Sequence, residues 1–356
     1  MIVKNESAVI ERSLSSLKNL IDYWVIVDTG STDQTQQIIK EFLKDIPGEL
    51  HERPWINFAH NRNEALDLAG NKGDYLLLID ADERLVFSDA FAMPDLDRDF
   101  YHIEYNQDTI CIRTLLINNH KKWRWEGVVH EHLIMSEDRT GAILEGVVNI
   151  AKTEGSRSKN LKMKHLNDAK ILEEALKDDP VNTSYVFHLA TSYEGADEKE
   201  LALQNFEKRL TMGGDERQIF GSLYRIGVLQ KKLGMPSSVC IQSFLKAYHY
   251  RPGRFEPLFC LANYFIDQEW YLLGYLISKF ALTNPFYNDY YFTQMKIYDY
   301  GMLYQFAECA FRIKELREAY DALKQLLAVQ NLPDDIRETC EKNIALPIFA
   351  TNPLFK

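Results

Sequence analysis

The sequence predicts an α/β domain with a mostly parallel sheet, followed by an all-helical domain. Strand and helix signals alternate over the first 150 residues, which is typical of βαβ units with right-handed crossovers. Beyond that point strand signals stop, and apolar residues recur at helical spacing instead. The length of 356 residues also favours two domains over one. We therefore place the domains at residues 1–150 and 151–356.

The α/β part is predicted to contain strands and helices in regular alternation. In chain order they are a strand at Ile2-Val3, a helix at about Ala8–Leu20, a strand at Tyr23–Val27, a helix ending at about Leu43, a helix at Phe58–Ala69 and a strand at Tyr75–Ile79. The loop Asp28–Asp33 follows the second strand. Within it, Ser31 or Thr32 is predicted to cap the next helix, since hydroxyl side chains bind free backbone N–H groups there.

The apolar run Tyr75–Ile79 ends in three carboxylates, Asp80, Asp82 and Glu83. Such a short run is typical of a strand covered on both faces, and ligands of open α/β sheets bind at carboxyl ends of strands. If the chain stays extended, both aspartates lie on one side and suit a divalent cation that also binds a diphosphate. The alternative is a strand end capped by solvated acids. Asp95–Asp97 has the same spacing but follows no strand, and is interpreted as a solvated loop.

Composition narrows the class of protein. The formal net charge of −11 argues against a general nucleic-acid partner. The five cysteines show no C-x-x-C spacing, which favours a reducing, cytoplasmic compartment. No run of 18 apolar residues occurs, so no transmembrane segment is predicted. The oligomeric state stays open.

Small residues recur at fixed spacing in the helical part, which indicates degenerate tetratricopeptide-like repeats. Ala190 and Ala202 are 12 residues apart, and Ala307 and Ala319 repeat that interval. Small residues at such positions allow two helices of one repeat to cross closely. The polar stretch 152–159 is predicted to be a linker or a helix lead-in.

Five motifs occur in order: Met1–Glu6, Val27–Asp33, Ala59–Asn63, Ile79–Glu83 and Trp125–Glu131. Together they resemble a family 2 glycosyltransferase of the GT-A fold, in the subgroup with tetratricopeptide-like helices behind the catalytic domain. The resemblance implies a Rossmann-like sheet, a nucleotide-sugar donor and a divalent cation, Mn²⁺ or Mg²⁺. It also implies that the sugar is transferred with inversion to an acceptor. The acceptor is expected to be a protein or peptide, or else a glycan.

The resemblance also assigns residues to roles. Nucleotide-sugar contacts are implied at Val3, Asn5, Glu6, Asp28, Arg62, Asp80 and Trp125, and metal contacts at Asp82 and His130. Asp28 would recognise the nucleobase, for which uracil is the expected partner, and Arg62 would face the diphosphate. The alternative for Arg62 is a surface ion pair with Glu64 or Asp67, and the alternative for His130 is a structural histidine.

An inverting transfer also needs a general base for the acceptor's proton. Glu131 is the first candidate and Glu126 the second, with Glu83 also considered. An ion pair of Glu131 with Arg113 or Arg124 is an equally good interpretation. Trp125, together with Trp123, would either stack on a sugar face or pack in the core.

Two other classes of protein compete with the transferase. One is an interaction protein whose degenerate transferase domain serves as a platform for the repeats. The intact acid motif, Asp28 and Arg62 argue against such decay. The other is a nucleotidyltransferase, which also needs acids and a metal. The sequence contains no glycine-rich triphosphate loop, which argues against it.

Overall fold

The structure, a computed structural model, describes residues 1–106, 110–135, 138–151, 160–287 and 293–350. The predicted linker at residues 152–159 lies outside the described residues. The chain divides into two compact units, of which the first covers Met1–Ala202 and the second begins at Leu203. The first unit holds all the described strands and two complete helices of the helical part, and the second unit is helical.

The amino-terminal part alternates strands with three helices. The strands are β1 (Ile2–Val3), β2 (Trp24–Asp28), β3 (Gly48–Glu52), β4 (Tyr75–Leu77), β5 (Glu83–Phe87), β6 (Phe100–Asn106), β7 (Ile110–Asn118), β8 (Trp123–Glu126), β9 (His132–Met135) and β10 (Gly141–Ala151). The helices are α1 (Ile10–Leu17), α2 (Thr35–Phe42) and α3 (Phe58–Ala69). Helix α3 has the predicted bounds, because Asn57 caps its first turn by accepting a hydrogen bond from the His60 N–H.

The predicted fold class is confirmed, but the prediction of a mostly parallel sheet is wrong for the larger of the sheets. Parallel pairing joins β1, β2 and β3 in one sheet. The second sheet has the order β4-β7-β6-β10-β5, and within its described residues only β6 and β10 are parallel. Strands β6 and β7 are separated by three residues, and so short a connection joins antiparallel strands. A third sheet is the antiparallel pair β8-β9.

The strand before the acids also differs from the prediction. β4 is an edge strand that pairs antiparallel with β7, and its three residues are half-buried. The chain after it does not stay extended, because the Glu83 N–H donates to the Asp80 carbonyl and closes a turn over Ala81 and Asp82. The period-two argument for the two aspartates is therefore wrong.

The predicted cap of α2 is wrong as well. Neither Ser31 nor Thr32 caps this helix, which begins at Thr35. Asp33 Oδ1 accepts hydrogen bonds from the Thr35 N–H and from Thr35 Oγ1, at 3.0 and 2.5 Å. Asp33 takes this role because the hydroxyl groups of Ser31 and Thr32 bond to Asn5 instead: Ser31 Oγ accepts the Asn5 N–H, and Thr32 Oγ1 donates to Asn5 Oδ1.

Helix α1 connects the cores of the first two sheets. Ile10 and Leu14 pack with Ile26 of β2, whereas Leu17 packs with the core of the second sheet. The helix also reaches the acid motif, since Ser13 Oγ donates to the Asp80 carbonyl at 3.3 Å. The carboxyl ends of β1 and β2 and the acid motif are thereby fixed to one scaffold.

The rest of the chain is helical. The helices are α4 (Leu161–Asp178), α5 (Thr183–Gly195), α6 (Lys199–Leu210), α7 (Glu216–Lys232), α8 (Ser237–Tyr250), α9 (Glu256–Asp267), α10 (Tyr271–Thr283), α11 (Met302–Arg312), α12 (Leu316–Leu327), α13 (Asp334–Ile344) and α14 (Pro347–Ala350), with a π-helical turn at Ile297–Gly301. Consecutive helices pack as pairs, α4 on α5, α7 on α8, α9 on α10 and α11 on α12.

The small residues predicted at the crossings are buried. Ala190, Ala202, Ala307 and Ala319 are all at most 3% exposed. Gly227 of α7 shows the reason, because a Cβ there would lie 2.8 Å from the Phe244 ring of α8. Large side chains cannot occupy such positions without separating the helices.

Candidate functional site

The loop after β2 holds a buried carboxylate with one free oxygen. Asp28 is fully buried, and its Oδ1 accepts hydrogen bonds from the N–H groups of Gly30 and Ser31 at 2.8 and 2.7 Å. Gly30 has φ +103°, a left-handed conformation that lets the loop fold back over Asp28. Within the described part of the chain, Asp28 Oδ2 has no hydrogen-bond partner. A buried unpaired acceptor costs free energy unless a ligand supplies the donor.

The segment after β1 fixes this loop in place. Val3 is in parallel register with Asp28, and its carbonyl accepts hydrogen bonds from the N–H and Oγ1 of Thr29. Asn5, at φ +56°, accepts the Thr32 N–H on its Oδ1 at 2.7 Å. The Glu6 N–H donates to Thr35 Oγ1 at 2.8 Å. Val3, Asn5 and Glu6 therefore lie together around the Asp28 loop.

The acid motif lies in a short connection between opposite edges of the second sheet. It leaves β4 and enters β5, the two outermost strands. The Asp80 N–H donates to Glu83 Oε2 at 3.1 Å, and Arg113 Nη1 donates to Glu83 Oε1 at 2.6 Å. The Glu83 side chain is 3% exposed, and both of its carboxylate oxygens accept hydrogen bonds, one of them from the Asp80 backbone. Glu83 is therefore less suited to act as a general base than the other candidates.

Arg62 of α3 connects two of the predicted carboxylates. Its Nη2 lies 2.9 and 3.0 Å from the two carboxylate oxygens of Asp80. Its Nε lies 2.8 Å from Glu131 Oε1, which is an ion-pair distance, although the N–H is not aimed as in a hydrogen bond. The guanidinium also lies over the Trp125 ring, 4.9 Å from its centroid. Arg62, Asp80, Glu131 and Trp125 thus form one contact network, the acid–arginine network.

The partners observed in this network correct two of the alternatives. Arg62 pairs with Asp80 and Glu131, whereas Glu64 lies near His60 and Arg53 instead. The suggested pairing of Glu131 with Arg113 or Arg124 is replaced by its contact with Arg62.

The charges of this network shift the pKa values of its members. Burial raises the pKa of Asp80, but the charges of Arg62 and Arg113 outweigh burial and hold that pKa below its ordinary value. Burial lowers the pKa of Arg62, and the carboxylates of Asp80 and Glu131 more than compensate and raise it. Asp80 is therefore ionised and Arg62 charged at neutral pH.

Both tryptophans of β8 are buried. Trp123 and Trp125 are 8% and 9% exposed, and Trp123 Nε1 donates to the Asn118 carbonyl. Asn63 of α3 bonds to both the N–H and the carbonyl of Trp125, at 2.8 and 2.9 Å. The Trp125 ring therefore supports Arg62 from a fixed backbone position. Glu126 follows it at the exposed end of the strand, outside the acid–arginine network.

A tight turn between β8 and β9 carries His130 and Glu131. Gly127 has φ +112°, and a Cβ there would lie 3.2 Å from the Glu131 Cα. His130 also has a left-handed backbone, with φ +53°, and its side chain is exposed. The His130 ring stacks on that of His188 in α5, with centroids 4.5 Å apart and an interplanar angle of 15°.

Three residues in these contacts were not assigned by sequence reasoning. The sequence suggests Glu83 only as a base and Arg113 only as an ion-pair partner of Glu131, because the bond between Glu83 and Arg113 joins two strands 30 positions apart. His188 carries no local signal, since it lies beside Leu189-Ala190, which match repeat positions. Its neighbours therefore indicated packing only.

The donor groups suit a cation that is shared with a ligand, not one enclosed by the protein. Among the described residues, no three His, Cys, Asp or Glu side chains lie together as a metal-binding group. A Mg²⁺ or Mn²⁺ bound to a diphosphate needs only one or two protein ligands, because phosphate oxygens and water provide the others. The carboxylate of Asp82 and the exposed imidazole of His130 are of the right chemical type for such a shared site.

None of the helices in the described ranges has the length and apolar character needed to cross a membrane.

Comparison with known proteins identifies the amino-terminal part. The family model "Glycosyl transferase family 2" matches residues 1–88. An uncharacterized glycosyltransferase of Rickettsia felis is 36% identical over 85 residues, which cover 24% of this chain and 28% of that protein. The SPbeta prophage-derived glycosyltransferase SunS of Bacillus subtilis is 24% identical over 225 residues, covering 59% of this chain and 52% of that protein.

These matches cover only part of the relatives as well as part of the chain. The match to the Rickettsia protein spans little more than a quarter of that protein's length. Among solved structures, YrrB, described as a TPR protein with an unusual peptide-binding site, matches with 13% identity and a TM-score of 0.39, covering 51% of this chain and 84% of that one. The family model and the glycosyltransferase relatives confirm the resemblance found in the amino-terminal sequence, and the described remainder of the chain from residue 160 is helical.

Proposed function

We propose that this chain is an inverting glycosyltransferase that uses a uridine diphosphate sugar and a divalent cation. The acceptor is a protein, a peptide or a glycan. The observation that supports this most directly is the buried Asp28, whose Oδ2 lacks a partner among the described residues. A carboxylate oxygen accepts the ring N–H of uracil, whereas the corresponding ring nitrogen of adenine carries no hydrogen. Val3, Asn5 and Glu6 are the proposed walls of this nucleotide pocket.

The acid–arginine network is the proposed site of the ribose and the diphosphate. Asp80 would contact the ribose, and the planar guanidinium of Arg62 suits pairs of phosphate oxygens. A bound divalent cation stabilises negative charge on the leaving diphosphate as a Lewis acid does, and Asp82 and His130 would hold it. Trp125 completes the donor site by supporting Arg62.

The proposed reaction places Glu131 as the general base, with Glu126 as the second candidate. The base takes the proton of the acceptor's nucleophilic group, which then bonds to the anomeric carbon of the sugar. The bond from that carbon to the diphosphate oxygen breaks, and its electron pair stays on the nucleoside diphosphate. Glu131 is preferred because it lies in the same contact network as Asp80.

The helices are proposed to bind the acceptor or a partner protein. Stacked helix pairs form extended surfaces that commonly bind elongated ligands. The competing function, an interaction protein with an inactive transferase domain, predicts that no nucleotide binds at Asp28.

The test compares uridine diphosphate with adenosine diphosphate, each with Mn²⁺, in a thermal-shift assay. We expect uridine diphosphate to raise the melting temperature more, because a ligand stabilises the state that it binds. Asp28→Asn should remove this difference. Asp22→Asn is the matched control, since Asp22 is an exposed aspartate just before β2. Equal shifts for the two nucleotides with the unaltered protein would rule out the proposed nucleobase contact.

A further inference from the structure

Two histidines 58 positions apart lie face to face in the first unit. His130 belongs to the turn between β8 and β9, and His188 belongs to α5. Their ring centroids are 4.5 Å apart and the rings are nearly parallel. The contact therefore links the turn that carries Glu131 to a helix of tetratricopeptide-like type.

The backbone on the His130 side of this contact is fixed. The turn requires the left-handed Gly127, whose α-hydrogen side faces the Glu131 Cα. Glu131 is in turn paired with Arg62. His130 itself has a left-handed backbone, which costs free energy in a residue other than glycine. The exposed imidazole thus projects from a fixed point of the chain.

The His188 side of the contact is equally well fixed. Phe187 is buried and meets the His188 ring edge-on, with centroids 5.6 Å apart. The next two residues, Leu189 and Ala190, are also buried, and α5 packs on α4. The His188 ring therefore offers a flat surface whose position is set by the packing of its own helix.

We propose that His188 is a positioning residue, which fixes the His130 imidazole by stacking on it and makes α5 part of the donor site. This inference rests on the function proposed above. An exposed imidazole that binds a cation must be held in one orientation, and groups that orient such ligands commonly change metal affinity about 10- to 100-fold when removed. The helices then contribute to donor binding as well as to acceptor binding.

The experiment measures binding of uridine diphosphate by calorimetry, with Mn²⁺ and with EDTA, for a matched pair of variants. His188→Phe keeps a planar ring against His130, whereas His188→Leu keeps the volume but removes the ring. With Mn²⁺ we expect His188→Leu to weaken binding about tenfold and His188→Phe to retain most of the affinity. With EDTA all three proteins should bind equally.

Two further variants separate positioning from a general structural effect. His130→Leu should weaken binding at least as much as His188→Leu, because it removes the proposed cation ligand itself. The double variant should show no loss beyond that of His130→Leu, since His188 acts only through His130. His120→Leu is the control variant. His120 contacts Asp74, the residue before β4, and takes no part in the contact between His130 and His188. Circular dichroism confirms that each variant is folded.

Several results would overturn the proposal. These are unchanged affinity in His188→Leu, equal loss in the Phe and Leu variants, equal loss with EDTA, or additive losses in the double variant. If the unaltered protein fails to bind uridine diphosphate at all, the proposed function fails first and the role of His188 fails with it. Binding by the unaltered protein with no effect of His188→Leu overturns only the role of His188.

Discussion

Each unit contains a buried arginine–carboxylate pair, and the two pairs differ in how completely their polar atoms are satisfied. In the second unit, Arg254 binds both carboxylate oxygens of Glu256, and the Tyr298 hydroxyl donates to one of them at 2.7 Å. In the first unit, Arg62 is shared between Asp80 and Glu131, and its Nε N–H is not aimed at an acceptor. A closed network contributes to stability, whereas an open one retains capacity to bind a ligand.

The exposures of the two networks agree with this distinction. The side chains of Arg254 and Glu256 are 4% and 2% exposed. Those of Arg62 and Asp80 are 16% and 30% exposed, so an anion that enters the site can reach the guanidinium. The same type of ion pair therefore serves the interior of one unit and the candidate donor site of the other.

The largest effect is expected in the second unit, on stability alone. Glu256→Ala leaves the charge of Arg254 buried without its partner, which should lower the free energy of unfolding by about 3–5 kcal/mol. Urea unfolding followed by circular dichroism measures this change. The double variant Arg254→Met with Glu256→Leu should recover much of the loss, because it removes both charges. A large loss of uridine diphosphate affinity in the folded Glu256→Ala protein would contradict the distinction.

A smaller effect on stability, but a large one on binding, is expected for Arg62→Met. Water can hydrate the half-buried Asp80, so the free energy of unfolding should fall by only about 1–3 kcal/mol. Affinity for uridine diphosphate should fall at least tenfold, because a charge-assisted contact to the phosphates is lost. Arg53→Met is the matched control, as Arg53 lies 3.8 Å from Glu64 in a more exposed pair. Unchanged affinity in Arg62→Met would show that this network does not bind the diphosphate.

How well the sequence predicts this site depends on how far apart along the chain the contacting residues are. The Asp28 loop is predictable because its partners lie in two short motifs and the strands before them are parallel. The pairing of Arg62 with Glu131 joins residues 69 positions apart, and residue type alone left several partners open. The sequence also does not predict the antiparallel pairing of β4. An apolar run indicates a strand, but not which strand it pairs with or whether the pair is parallel or antiparallel.

The smallest expected effect is on the pH dependence of the melting temperature, which should distinguish Asp80, paired with Arg62, from a surface aspartate. The pKa of Asp80 lies below its ordinary value of 3.8, so its ionisation stabilises the folded state above that pH. This contribution is lost as the pH falls through the lowered pKa. The difference in melting temperature between the unaltered protein and Asp80→Asn should therefore be constant above about pH 5 and shrink below it. Asp74→Asn is the control, because Asp74 directly precedes β4 and its side chain is 89% exposed. A difference that grows on acidification would contradict the sign of the shift.

The connection from β4 to β5 is so short that its length constrains the curvature of the second sheet. Five flat strands place their outer members about 19 Å apart, and the six residue steps from Leu77 to Glu83 span about 20 Å only when fully extended. The hydrogen bond from the Glu83 N–H to the Asp80 carbonyl shortens this reach. The second sheet must therefore curl until its two edges approach each other. The spacing within the acid motif is thus set by the width of the sheet, so that a residue added or removed there changes the shape of the whole sheet.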